Sequence, residues 1–176
     1  MLSRSVALVN AVVMLHPDTP LTVAQIARAA NLKYTPAESA LATLEKRGIV
    51  RRVARANQDT FEPNRNDPHY PAAYLTALVD LPIREALRGE RVYTVFAYGS
   101  LAHPGGGTAS SDLDLLIVGD IKDRASLVSR LATVGSRLGR AIDPFILDPV
   151  RFEQAKRKHD AHVESALAGV RILGTA

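Results

Sequence analysis

The chain has 176 residues and a formal net charge of +4, from 22 Lys and Arg residues against 18 Asp and Glu residues. Hydrophobic residues make up 47% and charged residues 23%, which is typical of a globular protein and excludes a disordered chain. The absence of cysteine excludes a disulfide scaffold, a thiolate zinc site and a cysteine nucleophile. The apolar run over residues 6–15 is too short to span a bilayer, so we expect a soluble cytoplasmic protein without a membrane partner.

The excess positive charge lies in the first third of the sequence. Residues 1–66 hold nine basic and five acidic side chains, whereas the rest of the chain holds thirteen of each. A polar, proline-containing stretch over residues 57–71 follows the basic segment. We therefore expect a basic domain over residues 1–66, a connecting helical segment over residues 67–90 and a second domain over residues 91–176.

The basic segment has the pattern of three helices followed by a hairpin. Residues 4–15 carry a broad apolar helical face, and Thr22 opens a capping box that begins a second helix. Thr35 opens another capping box, which predicts the start of a third helix that ends at Gly48. Residues 49–53 then predict the first strand of a two-stranded ribbon.

This order of elements resembles the winged helix-turn-helix domains of bacterial and archaeal transcriptional regulators. In the DNA-binding interpretation the third helix enters the major groove and nearby cations contact phosphates. The alternative is that the domain only dimerises or binds protein, and that its basic run is a solvated face. The candidate DNA-binding residues are polar or basic positions of the third helix and of the ribbon: Lys33, Thr35, Ser39, Arg51, Arg52 and Arg55.

The second domain alternates strands with helices. Residues 91–97 are β-branched and aromatic, and they lead into Gly99, Ser100 and a glycine-rich loop. Residues 112–118 predict a second strand and residues 141–147 a third, which contains a proline and is therefore expected at a sheet edge. The expected fold class is α/β (α+β), with a mixed β-sheet flanked by helices behind the winged helix-turn-helix domain.

Carboxylates at the start of these strands point to metal chemistry. Side chains two apart on a strand project to the same side, so Asp112 and Asp114 form a pair suited to Mg²⁺. Asp143 supplies a third carboxylate if its strand lies alongside. Gly99 lets the backbone approach a phosphate closely, and Ser100 can donate to the phosphate oxygens. A pair of metal ions at this position would activate an attacking hydroxyl and stabilise a leaving pyrophosphate.

The Gly99-Ser100 pair, the later Asp112-Leu113-Asp114 motif and Asp143 resemble the signature of the polymerase-β-type nucleotidyltransferase superfamily. The resemblance is strongest to its minimal nucleotidyltransferases, some of which carry a fused winged helix. It implies that the chain transfers a nucleoside monophosphate from a nucleoside triphosphate such as ATP to a hydroxyl. Ser100 would bind the phosphates, Asp112 and Asp114 would hold two Mg²⁺ ions, and Asp143 would act as ligand or base.

The resemblance also implies partners and includes two departures. Relatives of this size modify proteins, notably HEPN-type toxins of toxin–antitoxin pairs, or antibiotics or RNA ends. The loop between Ser100 and Asp112 has eleven residues where the family usually has ten, and it lacks the usual arginine, with His103 nearby. These departures leave turnover open.

Three hypotheses therefore stand. The first is an active Mg²⁺-dependent nucleotidyltransferase whose residues 1–66 bind DNA or recruit a protein acceptor. The second is a DNA-binding transcriptional regulator whose inactive second domain senses nucleotide or assembles a homodimer. The third is an antitoxin that acts by binding alone.

Overall fold

The computed structural model describes residues 3–54, 58–108 and 110–174 and shows a mixed α/β chain with two β-sheets, which confirms the predicted α+β class. The first sheet and its helices come from the N-terminal third. Their bounds are α1 (Arg4–Met14), β1 (Leu21–Thr22), α2 (Val23–Ala29), α3 (Tyr34–Lys46), β2 (Val50–Val53) and β3 (Thr60–Pro63).

The first sheet has three strands in the order β1-β3-β2, and every neighbouring pair is antiparallel. The predicted ribbon corresponds to β2 and β3. β1 was not predicted, and it adds a third strand because Leu21 also pairs with Phe61. A strand of two residues shows no apolar alternation, so the sequence carried no signal for it.

The two predicted capping boxes have opposite outcomes. The Thr22 hydroxyl accepts from the Gln25 N–H at 3.2 Å and the Thr22 N–H donates to Gln25 Oε1 at 2.8 Å, which confirms the first box. The second was wrong, since α3 begins at Tyr34 and its N-cap residue makes no side-chain capping bond. The N-cap is Lys33 and not Thr35, so the helix begins two residues earlier than the capping box predicts, after a turn in which Asn31 has a left-handed φ of 53°.

The rest of the chain builds a second sheet with helices on both faces. Two helices precede it, as the helical pattern of residues 67–90 predicts. The bounds are α4 (Tyr70–Val79), α5 (Ile83–Ala86), β4 (Arg91–Tyr98), β5 (Leu113–Asp120), α6 (Arg124–Leu138), β6 (Ile142–Leu147), α7 (Pro149–Arg157), α8 (Ala161–Leu167) and β7 (Val170–Leu173).

The second sheet is mixed and has the strand order β6-β5-β4-β7. β4 is antiparallel to both of its neighbours, whereas β5 and β6 run parallel. A parallel pair needs a crossover connection, which α6 provides. Pro144 lies on the edge strand β6, as predicted, where only one side of the strand is paired.

One hydrophobic cluster joins the N-terminal helices to one face of the second sheet. It contains Val9 and Leu41 from the first part and Val95, Leu115 and Leu131 from the second, each fully buried. The opposite face of the sheet carries a smaller cluster that α8 covers. The chain therefore has a continuous core across the predicted boundary at residues 67–90, while the domain limits themselves stay a prediction. No helix in the described ranges has the length and apolar character needed to cross a membrane.

Candidate active site

Two of the predicted carboxylates lie side by side across the second sheet. Asp114 pairs in register with Asp143 on the parallel neighbour β6 and with Tyr98 on the antiparallel neighbour β4. Residues in register on adjacent strands, about 4.8 Å apart, project to the same face. Tyr98, Asp114 and Asp143 therefore form a row across three strands, and the strand placement that the third carboxylate required is present.

Asp112 joins this row from the residue before β5. It lies two positions from Asp114, and the fully buried Leu113 separates the two and points into the core. Asp112 and Asp143 are exposed, whereas Asp114 is half-buried. The predicted carboxylates thus share one end of the sheet, next to solvent.

Gly99 brings the backbone after β4 against the carboxylate of Asp114. It has a left-handed φ of 72°, and a Cβ atom at this position would lie 2.0 Å from Asp114 Oδ2. Any side chain at residue 99 would displace that carboxylate. Ser100 follows at the start of a 3₁₀ turn (Ser100–Ala102) and is exposed, so its hydroxyl is available to a ligand beside the carboxylates.

The carboxylates affect one another electrostatically. Burial raises the pKa of Asp114 above its ordinary value, and the negative charges of Asp143 and Asp112 raise it further. The pKa of Tyr98 is also raised, first by burial and then by the charges of Asp114 and Asp143. A divalent cation at this position would relieve the repulsion, so the electrostatics favour cation binding.

The donor chemistry of these residues fits Mg²⁺, but their side chains are not arranged as a formed metal centre. Three carboxylates next to solvent offer hard oxygen donors and leave room for water and phosphate ligands. Across the described ranges, no group of three or more His, Cys, Asp and Glu side chains is placed to hold a metal ion. The backbone therefore brings the donors together, and ligation would require their side chains to turn.

Two buried side chains that the sequence analysis did not identify hold the glycine-rich loop. The Tyr74 hydroxyl donates to the Leu101 carbonyl at 3.0 Å. The Arg140 guanidinium donates to the carbonyls of Thr108 at 2.6 Å and Ser111 at 3.3 Å. Neither residue belongs to a motif, and the bonds connect distant parts of the sequence, so no local signal could have identified them.

The predicted DNA-binding residues that the structure describes are exposed, but two of them already have intramolecular partners. Arg52 lies between Glu45 at 3.0 Å and Asp59 at 2.9 Å, and Arg51 pairs with Glu62. The hydrogen bonds with both acids raise the pKa of Arg52 above its ordinary value. The remaining described candidates are exposed on and next to the first turns of α3, namely Lys33, Thr35 and Ser39, while Arg55 lies outside the described residues.

Comparison of the chain with protein-family models, with curated proteins and with solved structures found no match. The resemblance to nucleotidyltransferases therefore depends on the motif residues alone.

Proposed function

We propose that the protein is a Mg²⁺-dependent nucleotidyltransferase that transfers a nucleoside monophosphate from a nucleoside triphosphate to a hydroxyl acceptor. The observation that supports this most strongly is the contact between Gly99 and Asp114, with Asp143 in register beside them. It combines a closely approachable backbone, which suits phosphate, with carboxylates that suit a divalent cation.

Each part of the site has a role in this proposal. Gly99 and the exposed hydroxyl of Ser100 bind the terminal phosphates of the triphosphate. Asp112 and Asp114 would hold Mg²⁺. When bound, Mg²⁺ supplies Lewis-acid stabilisation of the charge that develops on the phosphate oxygens. Asp143 lies on the far side of Asp114 from Gly99, and in this proposal it faces the acceptor.

The transfer forms one P–O bond, breaks another and moves one proton. The acceptor oxygen attacks the α-phosphorus and forms the new P–O bond. The bond from the α-phosphorus to the bridging oxygen breaks, and pyrophosphate leaves with that electron pair. The acceptor hydroxyl gives its proton to the Asp143 carboxylate, which is exposed and therefore accessible to the acceptor.

We further propose that residues 1–66 form a winged helix that binds DNA through the start of α3. Lys33 is exposed there and makes no ion pair within the described part of the chain. Arg51 and Arg52 would have to exchange carboxylate partners for phosphates, so they contribute less than an exposed cation without an ion pair does. From the resemblance alone, we propose a HEPN-type toxin or another protein as the acceptor.

Label transfer is the direct test of the enzymatic proposal. The full-length protein is incubated with Mg²⁺, α-labelled nucleoside triphosphates and candidate protein or nucleic-acid acceptors. The variant carrying Asp112→Ala and Asp114→Ala should lose transfer, because the metal donors are gone. A variant carrying Glu38→Ala and Glu153→Ala removes the same charge from exposed positions on α3 and α7 and should keep it. Equal transfer by the two double variants would contradict the assignment.

A regulator with an inactive second domain is the alternative that one observation favours. The loop between Ser100 and Asp112 holds no Lys or Arg side chain, so it has no cation of its own for a triphosphate. This function predicts nucleotide binding without label transfer, together with DNA binding that nucleotide alters. Point variants in the full chain should be used, because α1 shares the core of the second sheet and truncation would expose that core.

A further inference from the structure

Arg140 lies at a junction of three parts of the chain. It follows Gly139, which ends α6 in the left-handed conformation, and its side chain is only 4% exposed. Besides the two loop carbonyls, its Nε donates at 2.8 Å to the carbonyl of Leu15 at the C-terminal end of α1. A planar guanidinium can serve both directions at once because its donors form a rigid fork.

Hydrogen bonds to carbonyls that face the core fix the orientation of the loop. A trans peptide places its C=O and the following N–H on opposite sides. Since the Ser111 carbonyl faces Arg140, the N–H of Asp112 points away from Arg140. On the first half of the loop, the bond from Tyr74 holds the Leu101 carbonyl inward in the same manner.

Arg140 also places a positive charge behind a loop that has none. Residues 101–111 contain no Lys or Arg. Burial lowers the pKa of Arg140, and the charges of Tyr74, Asp18 and Asp112 act in the opposite direction. An arginine stays ionised in proteins, so the charge persists at neutral pH. Because the cation is buried in low-dielectric surroundings, its positive potential extends across the loop.

We propose that Arg140 is a positioning residue for the phosphates of the bound nucleotide. It holds the loop from its buried side and supplies the positive potential that the loop itself lacks. The inference depends on the proposed nucleotide site and adds to it the source of the missing charge. It also means that the position of α1, through Leu15, is mechanically joined to the phosphate loop.

Three variants separate charge from loop position. Arg140→Lys keeps the charge but cannot donate to Leu15 and to the loop at the same time. Arg140→Met removes both the charge and these hydrogen bonds. Tyr74→Phe removes one hydrogen bond to the loop and leaves the charge. Binding of a Mg²⁺ complex of a non-hydrolysable ATP analogue, and of inorganic pyrophosphate, is measured by calorimetry at several salt concentrations. Amide hydrogen exchange of the loop is measured without ligand.

The expected order of affinity for both probes is wild type, then Tyr74→Phe, then Arg140→Lys, then Arg140→Met. We expect about a tenfold loss for Arg140→Lys and a larger loss for Arg140→Met. Only Arg140→Met should flatten the salt dependence, because it alone removes a charge. In turnover, KM for the triphosphate should rise more than kcat falls.

Two results would overturn the inference. One is a folded Arg140→Lys that binds both probes with wild-type affinity and salt dependence. If Arg140→Lys does not fold, Tyr74→Phe decides: faster loop exchange with unchanged binding would show that loop position does not control phosphate binding. A wild-type protein that binds neither probe would instead reject the proposed function, and loop exchange in the variants then decides only whether Arg140 orders the loop.

Discussion

The carboxylate of Asp114 occupies the space that a Cβ atom on residue 99 would need. The separation of 2.0 Å between that atom position and Asp114 Oδ2 is far inside van der Waals contact. The backbone of the phosphate loop and a proposed metal ligand are thus in direct contact. A substitution at residue 99 is therefore expected to affect both the stability of this end of the sheet and the proposed binding of nucleotide.

Replacing Gly99 with alanine should therefore destabilise the protein and abolish nucleotide binding. The strained φ and the clash with Asp114 together should lower the free energy of unfolding by about 1–3 kcal/mol. Gly89 is a matched control, because it has a similar φ of 85° but nothing within 4 Å of the added Cβ. Gly89→Ala should cost about 1 kcal/mol and leave binding intact. Denaturant unfolding and calorimetry measure both, and equal effects of the two substitutions would contradict the close approach.

Asp114→Asn should stabilise the protein when no metal is bound. The raised pKa means that the folded state favours the protonated carboxyl, so ionisation destabilises the fold increasingly as the pH rises above the ordinary carboxyl value of about 4. The amide removes that penalty at neutral pH. We therefore expect Asp114→Asn to have a higher Tm than the wild type at neutral pH when no metal is present.

The control for this prediction lies at the other end of the same strand. Asp120 accepts a hydrogen bond from the Tyr93 hydroxyl at 2.6 Å, so Asp120→Asn should lower Tm or leave it unchanged. Melting curves in EDTA across the acid range give the comparison. Added Mg²⁺ should then raise the Tm of the wild type and not that of Asp114→Asn. A stabilising effect of both substitutions would mean that carboxylate repulsion is not the cause.

Local patterns predicted the strands and the carboxylates, and long-range contacts determined the rest. Asp112 and Asp114 lie on the same side of the strand because they are two positions apart, and this spacing can be read directly from the sequence. Arg140 bonds Leu15, which lies 125 positions earlier, and no local pattern encodes such a contact. The sequence likewise identifies Arg51 and Arg52 only as cations, and it does not show that Arg51 pairs with Glu62 on β3 or that Arg52 pairs with Glu45 on α3.

His16 illustrates the same limit, since its sequence neighbourhood has no metal-like spacing and indicated no role. Its ring Nε2 lies 2.7 Å from the Leu138 carbonyl, where the N-terminal helices contact α6. Burial lowers its pKa below the ordinary value, while the bond to Leu138 opposes this and the charge of Arg140 adds to it. The folded state therefore favours the neutral ring with its proton on Nε2.

Stability should consequently fall as the pH drops through about 6.5, the ordinary histidine value, because the unfolded chain takes up the proton first. The loss should level off below the lowered pKa of the folded state. His16→Gln keeps an N–H donor for Leu138 without titrating, so it should flatten this part of the pH profile. His103→Gln, at an exposed loop position, should not. Denaturant unfolding between about pH 5 and pH 8 tests the difference.

DNA binding should depend more on Lys33 than on Arg52, although both are exposed cations of the N-terminal third. The Arg52 guanidinium is already neutralised by Glu45 and Asp59, so a phosphate contact would require it to abandon two ion pairs. Lys33 has no such partner among the described residues, and it lies directly before α3.

Lys33→Ala should weaken binding to a mixed-sequence duplex. It should also reduce the slope of log K against log salt by about 0.9, which corresponds to one phosphate contact. Arg52→Ala should lower Tm and leave that slope unchanged, because its loss breaks contacts within the protein. Fluorescence anisotropy across a salt series distinguishes the two, and the reverse pattern would place the DNA on the hairpin and not on α3.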